Sequence, residues 1–446
     1  MTSSLINIGR SGAAAARASL ELTAQNIANA ANPDYSRRRL NQSELVGTSV
    51  SGFNYSDTLI GVRITGIDRF ENETLQRQAR DASSDLGRTN AELTGLRDAE
   101  TALEQSNVYS GLVELEASLT LLESDPTDSA LRTGALETAR QLANTLNTAD
   151  AGLETARTLT QSEINAGLEV VSGAATELAR INAELGSARE GTAGRAALLD
   201  ARDAALTDIS EQLGISVSFE SSGAAQVRIN GSPEPILVQG SSASAVTASY
   251  GADGTAQFSV GATSFAPESG QLAGRAAALT GIAGLQDELD VIANATITRA
   301  NDAQANGAAL DGSGGQPFFS GTSASDIAVA LSDGEGIATA PAGSPANSRD
   351  TSNLGNLLIA LGGNDGPIKG TDTMLLSLSS RIAGLNTTHE GLTVIADSAR
   401  ATLSAQTGVN LDDEAANLVR LQQAFEANSR VIQVASDLFD TILSIR

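Results

Sequence analysis

Leu411-Asp412-Asp413-Glu414-Ala415-Ala416-Asn417-Leu418-Val419-Arg420-Leu421-Gln422-Gln423-Ala424-Phe425 opens the segment that decides the fold. From Leu411 an apolar residue returns every seventh position, at Leu418, Phe425, Ile432 and Phe439. Ala415, Leu421, Ala435 and Ile442 fill most of the intermediate positions of a coiled-coil seam. A helix so patterned needs a partner. The other end of the chain offers one: residues 5–31 carry Ile6, Ala13, Leu20 and Ile27 on one stripe, flanked by Gly9, Ala16, Ala24 and Ala31, which let a second backbone come close. Periodicity is equally satisfied by ordinary core helices of one globule, but placement at both ends argues for pairing with each other, with neighbouring copies, or both.

Charge supports the pairing. Residues 1–40 hold Arg10, Arg17, Arg37, Arg38 and Arg39 against Glu21 and Asp34, a net +3. Residues 410–446 hold Asp412, Asp413, Glu414, Glu426, Asp437 and Asp440 against Arg420, Arg430 and Arg446, a net −3. Exposed pairs contribute only about 0.2–1 kcal/mol each, so most of the energy must come from burying the stripes, at roughly 1.5–3 kcal/mol per large apolar side chain.

Composition narrows the function classes. A chain of 446 residues is long enough for two or three domains. Its formal charge of −25 argues against a nucleic-acid or anionic-membrane partner, since phosphate neutralisation needs a concentrated basic surface. The basic run Arg37 to Arg39 reads as a solvated turn. No apolar stretch reaches the 18 or so residues that span a bilayer, and the start Met-Thr-Ser-Ser-Leu-Ile has no pattern of a conventional leader, so any export is expected to use another route. With no cysteine and no tryptophan, disulfide and thiolate chemistry are excluded and the cores must be Leu, Ala, Ile and Val.

The expected fold class is mainly α with an inserted β domain: terminal helices in a coiled coil, a middle domain of long helices, and a small antiparallel β domain. Residues 1–35 plus 405–446 form the terminal assembly domain, and 36–67 an extended, turn- and strand-rich connector. Residues 68–214 plus 270–404 carry leucines at helical spacing, interrupted at Asp125-Pro126 and Gly191-Thr192-Ala193-Gly194, and form the bundle, with a small β segment near 318–331. Between them, Ile215-Ser216-Val217-Ser218-Phe219, Val227-Arg228-Ile229 and Gln257-Phe258-Ser259-Val260 alternate with period two, so 215–269 is the β-rich outer domain. The ends of such an insertion usually lie together, so its removal is expected to leave the bundle closed.

No catalytic constellation emerges. His389 is the only histidine and lies at helical spacing without a nucleophile motif. Asp412, Asp413 and Glu414 are adjacent, which spreads them around a helix turn; with Asn410 as cap they suit the positive end of a helix dipole better than a metal. Asp311-Gly312-Ser313-Gly314-Gly315 lacks the lysine of a phosphate loop and reads as a turn. Carboxylate pairs of a glycoside hydrolase stay open among 53 acidic residues, but nothing selects a pair. The chain is expected to be no enzyme and to take no cofactor.

One segment is more specific. Asn26-Ile27-Ala28-Asn29-Ala30-Ala31-Asn32-Pro33-Asp34-Tyr35-Ser36-Arg37 closes the first helix, because Pro33 has no amide hydrogen and biases Asn32 away from helical angles. It resembles the N-terminal signature of the bacterial flagellar axial proteins of rod, hook and hook-associated type, with Asn32-Pro33-Asp34-Tyr35 where the family has Thr-Pro-Gly-Tyr. Leu198-Leu199-Asp200-Ala201-Arg202-Asp203, Asn301-Asp302-Ala303-Gln304-Ala305-Asn306-Gly307 before Phe318-Phe319, and Gly408-Val409-Asn410-Leu411 through Asn428 look like segments of the hook-associated junction branch, in the same order. Gln304 stands where that branch has His.

The resemblance implies a structural subunit, exported through the flagellar type III apparatus, that assembles at the distal hook end and joins hook to filament. Implied partners are further copies in a ring, the hook protein, a second hook-associated junction protein on the filament side, and an export chaperone on the C-terminal helix; nucleic acid and membrane insertion are not expected. Assembly contacts are expected at Ile6, Leu20, Asn26, Ile27, Asn29, Pro33, Tyr35, Leu411, Leu418, Leu421, Phe425, Asn428, Ile432, Phe439 and Ile442. Another axial subunit, a secreted helical effector or adhesin, and a hydrolase are the alternatives.

Overall fold

A computed structural model describes residues 2–51, 54–231 and 234–444, with side chains described except at 2, 3, 46–51, 54–60 and 442–444. The chain opens with helix α1 (Thr2–Ala28) and an antiparallel hairpin of strands β1 (Arg38–Ser51) and β2 (Asn54–Arg69), whose base pairs Arg38 with Arg69. Helices α2 (Glu73–Ser106), α3 (Val108–Ser124), α4 (Ser129–Ser187) and α5 (Ala193–Gln212) follow. Strands β3 (Ile215–Phe219), β4 (Ala225–Ile229), β5 (Ile236–Gln239) and β6 (Ser242–Ala243) form one sheet in that order; β7 (Val246–Tyr250), β8 (Ala256–Val260) and β9 (Thr263–Phe265) form another. Helix α6 (Gln271–Ala305) leads to short strands β10 (Gly307–Ala308), β11 (Phe319–Ser320), β12 (Ala328–Val329) and β13 (Ala340–Pro341). Helices α7 (Ser352–Gly362), α8 (Pro367–Thr407) and α9 (Leu411–Ser444) complete the chain.

The helix boundaries have local causes. Asn107 separates α2 from α3 at φ 58°, a left-handed conformation that Asn tolerates better than most residues. Asp128 accepts hydrogen bonds from the amides of Ala130 and Leu131 to start α4, and Thr192 accepts one from Arg195 to start α5. The leucine groups at 131–146 and 164–185 belong to one helix of 59 residues, α4, roughly 90 Å long at 1.5 Å per residue.

Two cores lie along α4. Its first half buries Leu136, Leu142, Leu146 and Leu153 against Leu96, Leu112, Leu119, Ile282, Leu289 and the ring pair Phe318–Phe319. Its second half buries Ile164, Val171 and Leu178 against Leu206 and Ile209 of α5, Leu272 of α6, and Val227, Ile229, Val238 and Phe258 of the sheets. The strands expected within 215–269 are there, and Gly214 donates to the Ser269 carbonyl at 3.1 Å, so entry and exit do meet. Gly270, at φ 86°, passes so close to the Gln212 carbonyl that no side chain fits. Yet the sheets complete a helix core instead of closing one of their own, so the expectation that their removal leaves the bundle closed needs correction. Residues 36–67, expected as an extended, turn- and strand-rich connector, are mostly the paired hairpin, in which register shifts at Asn41/Gln42 and Leu45/Val46 interrupt the alternation.

Candidate assembly interface and its hinge

Helices α1 and α9 pack antiparallel. A Cβ on Gly9 would sit 2.8 Å from Ile432 Cγ1, and one on Gly12 would overlap the Asn428 side chain, so these glycines set how closely the backbones approach. Near the other end of the pair, Arg37, just past α1, reaches Glu414 at the start of α9. The stripe buried on α1 is Gly9, Ala15, Ala16, Leu22, Thr23 and Asn26, and on α9 Glu414 and Ala435 are buried. α1 is also held from the hairpin side: Ser11 Oγ accepts from the Val62 amide at 3.2 Å.

The expected contact residues divide accordingly. Ile6, Leu20, Ile27, Leu418, Leu421, Asn428 and Ile432 are half-buried, whereas Leu411, Phe425 and Phe439 are exposed, and the Ile442 side chain lies outside the described residues. Val419, Val431, Val434 and Leu438 are exposed as well. One chain therefore covers the small-residue face of the pair and leaves large apolar side chains at intervals around and along α9 partly uncovered.

The turn after α1 is organised by Asn26. Its Nδ2 donates to the Arg38 carbonyl at 2.9 Å, and its Oδ1 accepts from the Tyr35 hydroxyl at 2.8 Å and the Arg38 amide at 3.2 Å. The Arg38 guanidinium lies over the Tyr35 ring, 4.8 Å from its centroid. Burial raises the Tyr35 hydroxyl above its ordinary pKa; Arg38 opposes this and the Asp200 and Glu414 charges reinforce it. Asn29 Nδ2 donates to the Gln25 carbonyl, Asn428 Nδ2 to that of Ala424, and Pro33 stays exposed on the turn. These amide bonds lie within the chain.

Below the turn, the hairpin base is locked to α5. Asp200 accepts from Arg38 Nη2 at 2.5 Å and from Arg69 Nε at 2.6 Å. Asp203 accepts from Arg69 Nη2 at 2.6 Å, Arg202 Nη2 at 2.7 Å and Gln76 Nε2 at 2.8 Å. Burial would raise the Asp203 carboxyl, but Arg202 and Arg69, by charge and by hydrogen bonds, outweigh it and hold that carboxyl below the usual carboxylate range. Arg37 Nε donates to Glu414 at 2.7 Å, the Arg37 amide donates to the Thr407 carbonyl at 2.8 Å, and its guanidinium lies 5.3 Å from the Phe70 ring centroid. The reading of Arg37 to Arg39 as a solvated turn is thus overturned: Arg38 is buried, Arg37 is paired, and Arg39 alone is largely exposed. Among the described residues, opposite charge at the two termini meets in the pair Arg37–Glu414, with the Glu414 carboxylate buried. The signal available for this hinge was Asp200 and Asp203 at i, i+3, which places both carboxylates on one face of α5.

The remaining polar positions have structural work. Gln304 is buried, donates to the Gln316 and Gly336 carbonyls at 3.0 Å and accepts from the Ala338 amide at 2.7 Å, tying α6 to the loops beside it. Asn301 exchanges two hydrogen bonds with the Phe319 backbone. Asp311 accepts from the Ser313 amide in a turn, and Asn410 accepts from the Asp412 and Asp413 amides as a cap. Among the described residues no group of three or more His, Asp or Glu is placed to hold a metal ion, and no helix is long and apolar enough to cross a membrane.

Comparison with known proteins gives a consistent result. The family model described as the flagellar hook-associated protein FlgK helical domain matches residues 97–319, and that of the flagellar basal body rod FlgEFG protein C-terminal matches residues 404–445. Flagellar hook-associated protein 1 of Escherichia coli (strain K12) is 26% identical over 246 residues, covering 54% of this chain and 44% of the relative. The protein of the same name from Salmonella typhimurium is 27% identical over 246 residues, covering 54% and 43%. The chain thus spans less than half the length of these curated relatives. A solved structure, the flagellar hook junction protein FlgK from Burkholderia pseudomallei, is similar at a TM-score of 0.49 and 19% identity, over 55% of this chain and 46% of that one.

Proposed function

This chain belongs to the FlgK family of flagellar hook-associated proteins, and from that membership we propose that it is a structural, non-enzymatic subunit outside the cell, joining the hook to the filament. The observation that carries the proposal is the exposed apolar surface of α9. Leu411, Val419, Phe425, Val434, Leu438 and Phe439 are exposed in a single chain and, at about 3.6 residues per turn, are spread around and along the helix beyond the strip docked on α1. Covering that surface needs neighbouring copies, and closure of those contacts around an axis gives a ring. Ile6, Leu20, Ile27, Leu418, Leu421 and Ile432, half-buried already, complete the contact when copies meet, while Asn26, Asn29, Pro33 and Tyr35 hold the turn that aims the pair. Export runs through the flagellar type III route with a chaperone on α9 beforehand; hook protein and a second junction protein are the neighbours at either end.

Electron microscopy of a strain lacking the gene tests the placement. Hooks without filaments, restored to full flagella by the intact gene, are expected. Absence of hooks would instead make the chain a rod or hook subunit, and normal flagella would remove it from the axial structure.

A further inference from the structure

Between the Asn32-Pro33-Asp34 turn, α2, α5 and the end of α8 lies a cavity of about 370 Å³. Its charged lining is nearly all accounted for. Arg69 and Asp203 pair with each other, and Arg400 donates to Ser83 Oγ at 2.9 Å and lies 3.6 Å from Asp397. Asp34, at the rim, is exposed. Arg80 is the exception: only 7% exposed, its side chain makes no hydrogen bond and no ion pair with a described residue. Burial holds its guanidinium below the ordinary value, and the more distant Asp203 and Asp81 charges offset that only in part. A buried guanidinium left so is costly, and its planar fork is matched by a carboxylate.

α9 carries the complementary group. Of its two glutamates, Glu414 is buried against Arg37, while Glu426 is exposed, unpaired in the single chain, and adjacent to the exposed Phe425. We propose that the cavity is a carboxylate socket for a second copy of this chain, in which Glu426 enters to meet Arg80 while Phe425 seats at the mouth. The inference rests on the self-assembly reading above and specifies one of its contacts. Each copy then carries one plug and one socket on different surfaces, a head-to-tail contact of the kind that forms a ring when the rotation between copies closes.

Sedimentation of the purified full chain over a concentration series tests it, with Arg80→Gln, Glu426→Gln and the double variant, alongside monomer melting of each. Each single change is expected to weaken self-association about tenfold or more, and the double change no further than either single one, because both remove the same contact. Monomer melting of Arg80→Gln should be unchanged or raised, since an unpaired buried charge is removed. Additive losses, unchanged association, or a destabilised Arg80→Gln monomer would each overturn the socket while leaving assembly intact. A wild-type chain that stays monomeric at every concentration would overturn self-assembly and the socket together.

Discussion

Arg37 Nε lies 2.7 Å from the Glu414 carboxylate, although 377 residues separate the two in sequence. Glu414 is buried, and its own amide is taken by the Asn410 carbonyl. Glu414→Ala is expected to cost roughly 1.5–3 kcal/mol, the range for a hydrogen bond to a charged group. The loss should be local. Hydrogen exchange of α9 amides should quicken while those of α4 hold, and unaltered α9 protection would show that the pair does not hold the terminal helices together.

Acid should weaken the hinge through Asp203. Its carboxyl is depressed in the folded chain, so the stability it contributes is present above its unfolded value, near 3.9, and is lost as pH falls through the folded value. Asp203→Asn should therefore be destabilised at neutral pH by about 3–5 kcal/mol, as for a broken buried pair. The gap to wild type should narrow as pH drops below 4. A gap constant with pH would mean that the charge of Asp203 contributes nothing.

Phe425→Ala separates folding from assembly. Phe425 is 38% exposed in a single chain, so monomer stability should fall by only about 1–2 kcal/mol, in proportion to the part already covered. Complementation of motility in a deletion strain should nonetheless fall sharply. Normal swimming, or a monomer loss as large as the roughly 3–5 kcal/mol of a fully packed Phe, would place Phe425 outside the contact between copies.

Joining Gly214 directly to Gly270 with a short linker should damage the helices. The deletion would strip Val227, Phe258 and Phe265 from the core that covers Ile164, Val171 and Leu178. Even Phe258→Ala alone should cost roughly 3–5 kcal/mol, and circular dichroism of the shortened chain should show early melting of α5 and the far half of α4. Melting like that of wild type would make the strands a separate module after all.

The long-range plan was legible because it is written in period. Leu418, Phe425 and Ile432 announce a helix in need of a partner, and the leucines of α2 to α4 announce a bundle. What was not legible depends on partners distant in sequence. Arg38 reads as a surface charge until Asp200 is seen beside it, and Val227 alternates equally well in a free-standing sheet and in one laid on α4. The close face of α1 was legible in part. Gly9 and Ala16, expected to admit a second backbone, are buried there, whereas Gly12, which leaves the space that the Asn428 side chain fills, was not singled out.

Only two short segments, 70–72 and 408–410, link α2 and α8 covalently to the hairpin and α9. Most of what fastens that joint is ionic: Arg38 and Arg69 on Asp200, Arg69 on Asp203, Arg37 on Glu414. Under torque, such a fastening differs from a packed core. Guanidinium and carboxylate groups exchange partners over a range of angles, while interdigitated leucines resist until they part. The chain thus joins a long strut, α4, to a collar fastened by buried ion pairs, whose hold the salt of the surrounding medium screens only weakly.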